Sequence, residues 1–280
     1  MTTHKKNILV SGYTGFIGRE INRNQEFNAK FNILYVRTAE DILQIGKQWL
    51  KASTFVNLTG RAIGLDDELW LSNVIMTRQL TRAFLGAGGK KLLHVSSGAV
   101  YGNPRHKAGS IEDDLHQAES YYGLTKSIGE AIVHAETNQI QTDSLVVLRL
   151  PNIFGENQKK GVIYNLLNNF RQNQMVTING DGEQLRDFLH VRDLISLIGK
   201  IASESQENGA YNLSSPFSMS INNLVSLLRG ESSSNVVFKD YDLEQSSLHL
   251  DHSKALAHFG EFYSYTMRYL KNDFNWERDF

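Results

Sequence analysis

Five short apolar runs, NILV (7–10), NILYV (32–36), FVNL (55–58), LLHVS (92–96) and LVVLRL (145–150), alternate with stretches of helical pattern at 16–25, 40–51, 69–86 and 121–137. Each run is β-branched or leucine-rich and lacks polar alternation, the pattern of a strand covered on both faces. Strands of that kind joined by helices define the fold class as α/β, a Rossmann-type doubly wound parallel sheet. Thr54 lies only 17 positions after Arg37, room for one helix, so one strand of a full doubly wound unit is expected to be missing or vestigial there.

Beyond Pro151 the pattern changes to a helix near 161–171, an extended MVTI (175–178), a turn NGDG (179–182), and FLHV leading into another helix. Residues 1–152 with 187–215 are therefore assigned to a dinucleotide-binding domain. Residues 153–186 with 216–280 are assigned to a small C-terminal α/β substrate lobe over the sheet's carboxyl edge, where ligands of open α/β sheets bind.

The segment ILVSGYTGFIGRE places Gly12, Gly15 and Gly18 directly after the first strand and at the opening of a helix. Glycine suits such a turn because the backbone must approach a pyrophosphate closely and the helix must pack tightly on the strand, while helix N–H groups face the anion. The second strand ends in YVRT. An acid at that tip would bond a ribose 2′-hydroxyl, whereas Arg37 suits a 2′-phosphate, so NADP is expected rather than NAD. Arg19 is a weaker second candidate for the same phosphate.

In ESYYGLTKSIGE, Tyr122 and Lys126 stand four apart on what reads as a helix, hence on one face, and can reach one bound molecule; Tyr121 would pair with Thr125 and is the poorer choice. An ammonium about 4 Å from the phenol would contribute roughly 4 kcal/mol at an effective dielectric near 20, which is expected to lower the phenol's pKa and make it a usable proton donor to a carbonyl. SSGAVYG ends the fourth predicted strand, and Ser96 or Ser97 could bond the same carbonyl oxygen.

Together, GYTGFIG, SSGAVYG, YGLTK, RLPNIFG (149–155) and RDFLHVRDL (186–194) resemble, in order and spacing, the extended short-chain dehydrogenase/reductases that act as NAD(P)-dependent nucleotide-sugar epimerases, dehydratases and reductases. The resemblance covers residues 7 to about 260 and is faint beyond 215. It implies Ser97 as the catalytic hydroxyl, four residues before Tyr101, with Tyr122 as proton donor and Lys126 holding the nicotinamide ribose. It further implies cofactor contacts from Gly12, Thr14, Gly15, Phe16, Ile17, Gly18, Arg37, Leu58, Thr59, Tyr122, Lys126 and Pro151, and substrate contacts from Ser97, Asn152 and the diphosphate-gripping Arg186. For Arg186 the alternative is a salt bridge with Asp187 or Asp193. Asn73 matches a structural helix asparagine, and His190 looks structural beside Asp193.

Departures from the family pattern narrow the reaction. Gly98 and Ala99 stand where the 4,6-dehydratases carry an Asp-Glu pair, and the chain has no cysteine for the cysteine–histidine pair of the epimerising reductases. What remains is reduction of a nucleotide-linked 4-keto-6-deoxysugar by NADPH, closest in character to the 4-ketoreductases of deoxysugar and lipopolysaccharide precursors. The rivals are a 4-epimerase with bound NAD and a catalytically inactive NADP-binding sensor.

With 29 basic and 30 acidic residues and no basic run, nothing suggests nucleic acid. The absence of cysteine suits a reducing, cytoplasmic compartment, and no apolar stretch approaches the roughly 18 residues of a membrane span. His249 and His252 lack supporting ligands at helical spacing, so no metal is expected, and His94 reads as a core histidine. Helices 69–86 and 121–137 resemble the pair that makes a homodimer contact in relatives.

Overall fold

The computed structural model describes residues 5–140, 142–204, 207–240 and 247–270. Its main sheet has six parallel strands: β1 (Lys6–Ser11), β2 (Phe31–Val36), β3 (Ser53–Asn57), β4 (Lys91–Ser97), β5 (Ser144–Leu150) and β9 (Gly209–Asn212), in the order β2-β1-β3-β4-β5-β9. β2 is the edge, so the strand expected to be missing after Arg37 is absent from this sheet. The order reverses between β1 and β3, and the loops leaving those two strands open a crevice at their carboxyl ends.

The apolar runs lack alternation because each strand feeds two cores. Ile8 and Val10 pack against the side of α1 (Phe16–Arg23) and α9 (Val191–Glu204), while Leu9 between them joins Phe55, Leu80 and Phe84 on the other side. In β5, Val146 and Leu148 face the first core, Leu145 and Val147 the second.

Helix ends depart from the sequence reading for identifiable reasons. The helix expected at 16–25 stops at Arg23, because Asn24 caps a new one, α2 (Gln25–Lys30), by accepting from Phe27 N. The helix expected at 40–51 is two, α3 (Ala39–Leu43) and α4 (Lys47–Lys51), divided before Gly46, which caps the second. The helix expected from 69 begins three residues earlier as α5 (Asp66–Trp70), passes through a π-helical turn at Leu71–Met76 and ends as α6 (Thr77–Gly86). Such π turns are often found at functional sites.

A third core gathers Phe154, Leu167, Ile178, Phe188 and Leu224 under α8 (Val162–Arg171) and α10 (Ile221–Leu228). It includes a three-stranded sheet, β10-β8-β6 (Ser218–Ser220, Leu185–His190, Asn152–Phe154), and the parallel pair β11-β7 (Val236–Lys239, Val176–Asn179). Helices α11 (Ser253–Phe259) and α12 (Ser264–Leu270) follow, and α12 docks where the Asp193 carboxylate accepts from Tyr265 N and Thr266 N at 3.0 and 2.7 Å. His190, stacked on Tyr265 and Tyr269, belongs to the same joint. No helix among the described residues is long and apolar enough to cross a membrane.

Candidate active site

The glycine turn leaves β1 with Gly12 at φ +67°, where a Cβ would fall 2.6 Å from the Leu58 carbonyl carbon, and a Cβ on Gly18 would fall 2.3 Å from Tyr13 Cα. Gly15 caps α1 without any side chain, so the opening of that helix lies bare toward the crevice. There a cavity of about 570 Å³ is lined by Gly12, Thr14, Gly15, Phe16, Arg37, Leu58 and Thr59 among the expected residues. Gly18 serves the strand–helix contact beneath it. Arg19, Arg61, Lys159 and Lys160 join Arg37 on the wall, and no carboxylate does.

An acid is nonetheless close to the tip of β2. Asp41 folds back through the capping box of α3, and its Oδ2 accepts from Arg37 N at 2.7 Å and Thr38 N at 2.9 Å. Those hydrogen bonds hold its pKa below the usual range, and the carboxylate caps backbone instead of lining the cavity.

A second cavity of about 430 Å³ shares Leu58, Thr59, Gly60, Arg61 and Gln158 with the first, so the two form one crevice. It brings together Ile17, Ser97, Tyr122, Lys126, Pro151 and Asn152. Ser120 caps α7 (Tyr121–Gln139) by accepting from Gly123 N, which sets Tyr122 in the first turn. Gly123 lets that turn pack against the end of β4: a Cβ there would lie 2.3 Å from Ala99 O.

Ser97 hydrogen-bonds the Tyr122 hydroxyl and also accepts from Ala99 N at 3.2 Å. Ser96 engages differently, donating to Glu130, which forms a buried ion pair with Arg149 at 2.9 Å. Arg149 in turn donates to Glu112 O at 2.9 Å and to Tyr101, whose hydroxyl donates to Asn212 Oδ1 at 2.7 Å. Asn73, in the π turn, clasps Arg61 N (2.8 Å) and O (3.0 Å) and donates to Thr125 (2.9 Å), tying the loop after β3 to the helix that carries Lys126.

The expected lowering of the phenol pKa is not found. Burial raises Tyr122, with the Ser97 hydrogen bond acting against it. Lys126 does not offset this, because its ammonium donates to Val95 O at 2.7 Å; burial brings its own pKa down to about 8, against the pull of Glu130.

Arg186 is an expected site residue that lines neither cavity. It sits on β8 outside both cavities, its Nη1 donating to Leu185 O at 2.8 Å. Neither acid offered as its alternative partner is engaged that way: Asp187 accepts from Ser214 (2.7 Å) and Leu250 N (2.7 Å) and contacts His249 (3.1 Å), while Asp193 caps α12. Arg186 stands two residues before Phe188 on β8, so strand periodicity gives the two side chains the same face, and of the two Phe188 reaches the cavity wall. His94 is fully buried, its Nδ1 against Asn57 at 3.3 Å.

Sequence reasoning had passed over Arg61, Gln158, Lys159 and Lys160. The lysines carry no motif and reach the crevice only because the loop after β6 folds across it.

A glycine turn at a parallel-sheet switch point, with a serine–tyrosine contact and a lysine beside it, is the arrangement of the short-chain dehydrogenase/reductase class. The NAD dependent epimerase/dehydratase family matches residues 8–214, and the chain belongs to that family. A Methanocaldococcus jannaschii protein provisionally named a UDP-glucose 4-epimerase is 31% identical over 142 residues, 49% of this chain and 45% of that one. An Escherichia coli dTDP-4-dehydro-6-deoxyglucose reductase is 28% identical over 182 residues, 62% of this chain and 56% of that one. The chain thus spans about half the length of these curated relatives. The structure of MoeE5 in complex with UDP-glucuronic acid and NAD superimposes with a TM-score of 0.77 at 25% identity, covering 91% of this chain and 92% of that one.

Proposed function

We propose that the protein reduces a nucleotide-linked 4-keto-6-deoxysugar with NADPH, in the formation of a deoxysugar or lipopolysaccharide precursor. The observation that carries this reading is the acid-free, cationic wall of the larger cavity, with Arg37 at the tip of β2. The residues fit a dinucleotide: the backbone at Gly12 and Gly18 is closed to any side chain, and the opening of α1 faces the cavity. A nicotinamide bound there supplies the hydride for the keto carbon.

In this reading Tyr122 donates its hydroxyl proton to the substrate oxygen while Ser97 orients that oxygen and Lys126 holds the ribose. A phenol kept protonated by burial suits donation, hence reduction, whereas alcohol oxidation would need the phenolate. Leu58, Thr59 and Pro151 line the nicotinamide side, and Asn152, whose Nδ2 donates to Asp187 O at 3.1 Å, faces the sugar. Residues 153–186 and 216–280 serve as the substrate lobe on a dinucleotide-binding domain of 1–152 with 187–215. The nearly neutral, cysteine-free sequence fits a cytoplasmic enzyme of small molecules. Exposed Trp70, Leu71, Tyr121 and Leu124, on neighbouring helices, support a homodimer through that face.

Incubation with NADPH and nucleotide-4-keto-6-deoxysugars tests the proposal: stoichiometric NADPH consumption is expected, and Tyr122→Phe should lower turnover by roughly 10² to 10⁴. Near-wild-type turnover by Tyr122→Phe refutes the role. A 4-epimerase remains the second reading because the M. jannaschii relative bears that name. It predicts that NAD stays bound through purification and that none need be added.

A further inference from the structure

The loop joining β6 to α8 crosses from the third core to the opening of α1. A hydrogen bond ties it there, Asn157 Nδ2 donating to Glu20 Oε1 at 3.3 Å, and Gly155 leaves no side chain between the loop and the Phe16 ring. Gln158 Nε2 anchors the middle of the loop by donating to Ile153 O at 2.8 Å. Lys159 and Lys160 follow, both exposed and both on the wall of the cavity that the glycine turn forms. The acid nearest them in sequence, Glu156, is engaged by Arg192 at 3.1 Å and His190 at 3.4 Å, leaving the lysines without an acidic partner among the described residues.

The charge count gives this placement its meaning. A dinucleotide's bridging diphosphate carries two negative charges, while a helix N-terminus offers only about half a positive charge. Arg61 is committed to Glu68 at 2.8 Å, and Arg19 Nη1 to Thr14 O at 2.6 Å. Arg37 stands at the far end, on the tip of β2. Among the described residues, the cations on this wall without an acidic partner are therefore Arg19, Arg37 and the two lysines of the loop after β6.

We infer that Lys159 and Lys160 form a clamp on the cofactor's pyrophosphate, closing on it from the side opposite the glycine turn. The inference rests on the dinucleotide reading of that cavity but not on the choice of NADP over NAD, because the diphosphate is common to both. Flexible ammonium groups suit the task, since they meet a phosphate as point charges without demanding planar geometry.

Titration of NADP⁺ and NAD⁺ into wild type, K159A/K160A, K159R/K160R and R37A, at low and high salt, tests it. The double alanine variant should weaken both dinucleotides alike, by about tenfold at low salt and less at high salt. The double arginine variant should stay near wild type, R37A should weaken NADP⁺ alone, and binding of UDP or dTDP should be untouched by the lysine changes. Unchanged affinity of K159A/K160A for both dinucleotides overturns the clamp. So does a loss confined to NADP⁺, which moves the lysines to the 2′-phosphate, or a loss confined to the nucleoside diphosphates, which moves them to the substrate. A wild type that binds NAD⁺ as tightly as NADP⁺, with both weakened in the double variant, refutes the NADPH reading and leaves the clamp standing.

Discussion

Glu130→Gln is the perturbation that best separates electrostatics from packing at this site. Glu130 and Lys126 lie one helical turn apart on α7, and Glu130 is the group that opposes the burial-driven fall of the lysine's pKa to about 8. At about 6 Å and an effective dielectric near 20 the attraction is roughly 3 kcal/mol, equal to about two pH units as an upper bound. Arg149, paired to the same carboxylate at 2.9 Å, cancels part of that field, so a fall of about one pH unit is expected in the variant. The glutamine also leaves Arg149 without its anion in a site where the two side chains are 7% and 3% exposed, which should cost about 3–5 kcal/mol of stability. Lysine ¹³Cε NMR follows the first effect and urea unfolding the second, with E130Q/R149M expected to recover much of the lost stability. A Lys126 titration midpoint unchanged in Glu130→Gln would refute the electrostatic coupling.

Other outcomes follow from the same geometry. Gly18→Ala should abolish dinucleotide binding, because its methyl would press on Tyr13 Cα; calorimetric titration checks this, and wild-type affinity would contradict the packing. Dinucleotide affinity should decline as pH rises through about 8, where Lys126 loses its charge, and Lys126→Arg should remove that decline. The hydrogen bond that the His249 ring donates to Asp187 raises its pKa above the ordinary value, so the contact's stabilisation is full below about 6.5 and is lost as pH climbs through the raised value. His249→Gln should accordingly flatten the dependence of the urea midpoint on pH over that interval.

Much of this site was legible in the sequence because its signals are local. NILV before GYTGFIG specifies a buried strand feeding a bare helix opening, and Tyr122 and Lys126 share a face because α-helical geometry puts residues four apart together. Ser97 ends β4 beside Leu150 at the end of β5, and Pro151 and Asn152 follow directly after β5, so all three reach the same cavity. Arg186 lines neither cavity although it shares a face of β8 with Phe188, because it stands two residues earlier along the strand. The capping role of Asp41 was within reach of the TAED spacing, whose threonine and aspartate stand three apart as in a capping box.

By itself the sequence determined the alternation of strands and helices, the glycine turn and the set of side chains proposed for the chemistry, since backbone sterics and periodicity act between near neighbours. Only the tertiary structure decided the proton state of that chemistry and the charge around it. Burial holds Tyr122 as an acid and weakens Lys126 as a cation, and a loop more than a hundred residues from the glycine turn in sequence brings Lys159 and Lys160 to its side. Desolvation and summed charge depend on which remote segments cover a group, and that is fixed only when the chain has closed on itself.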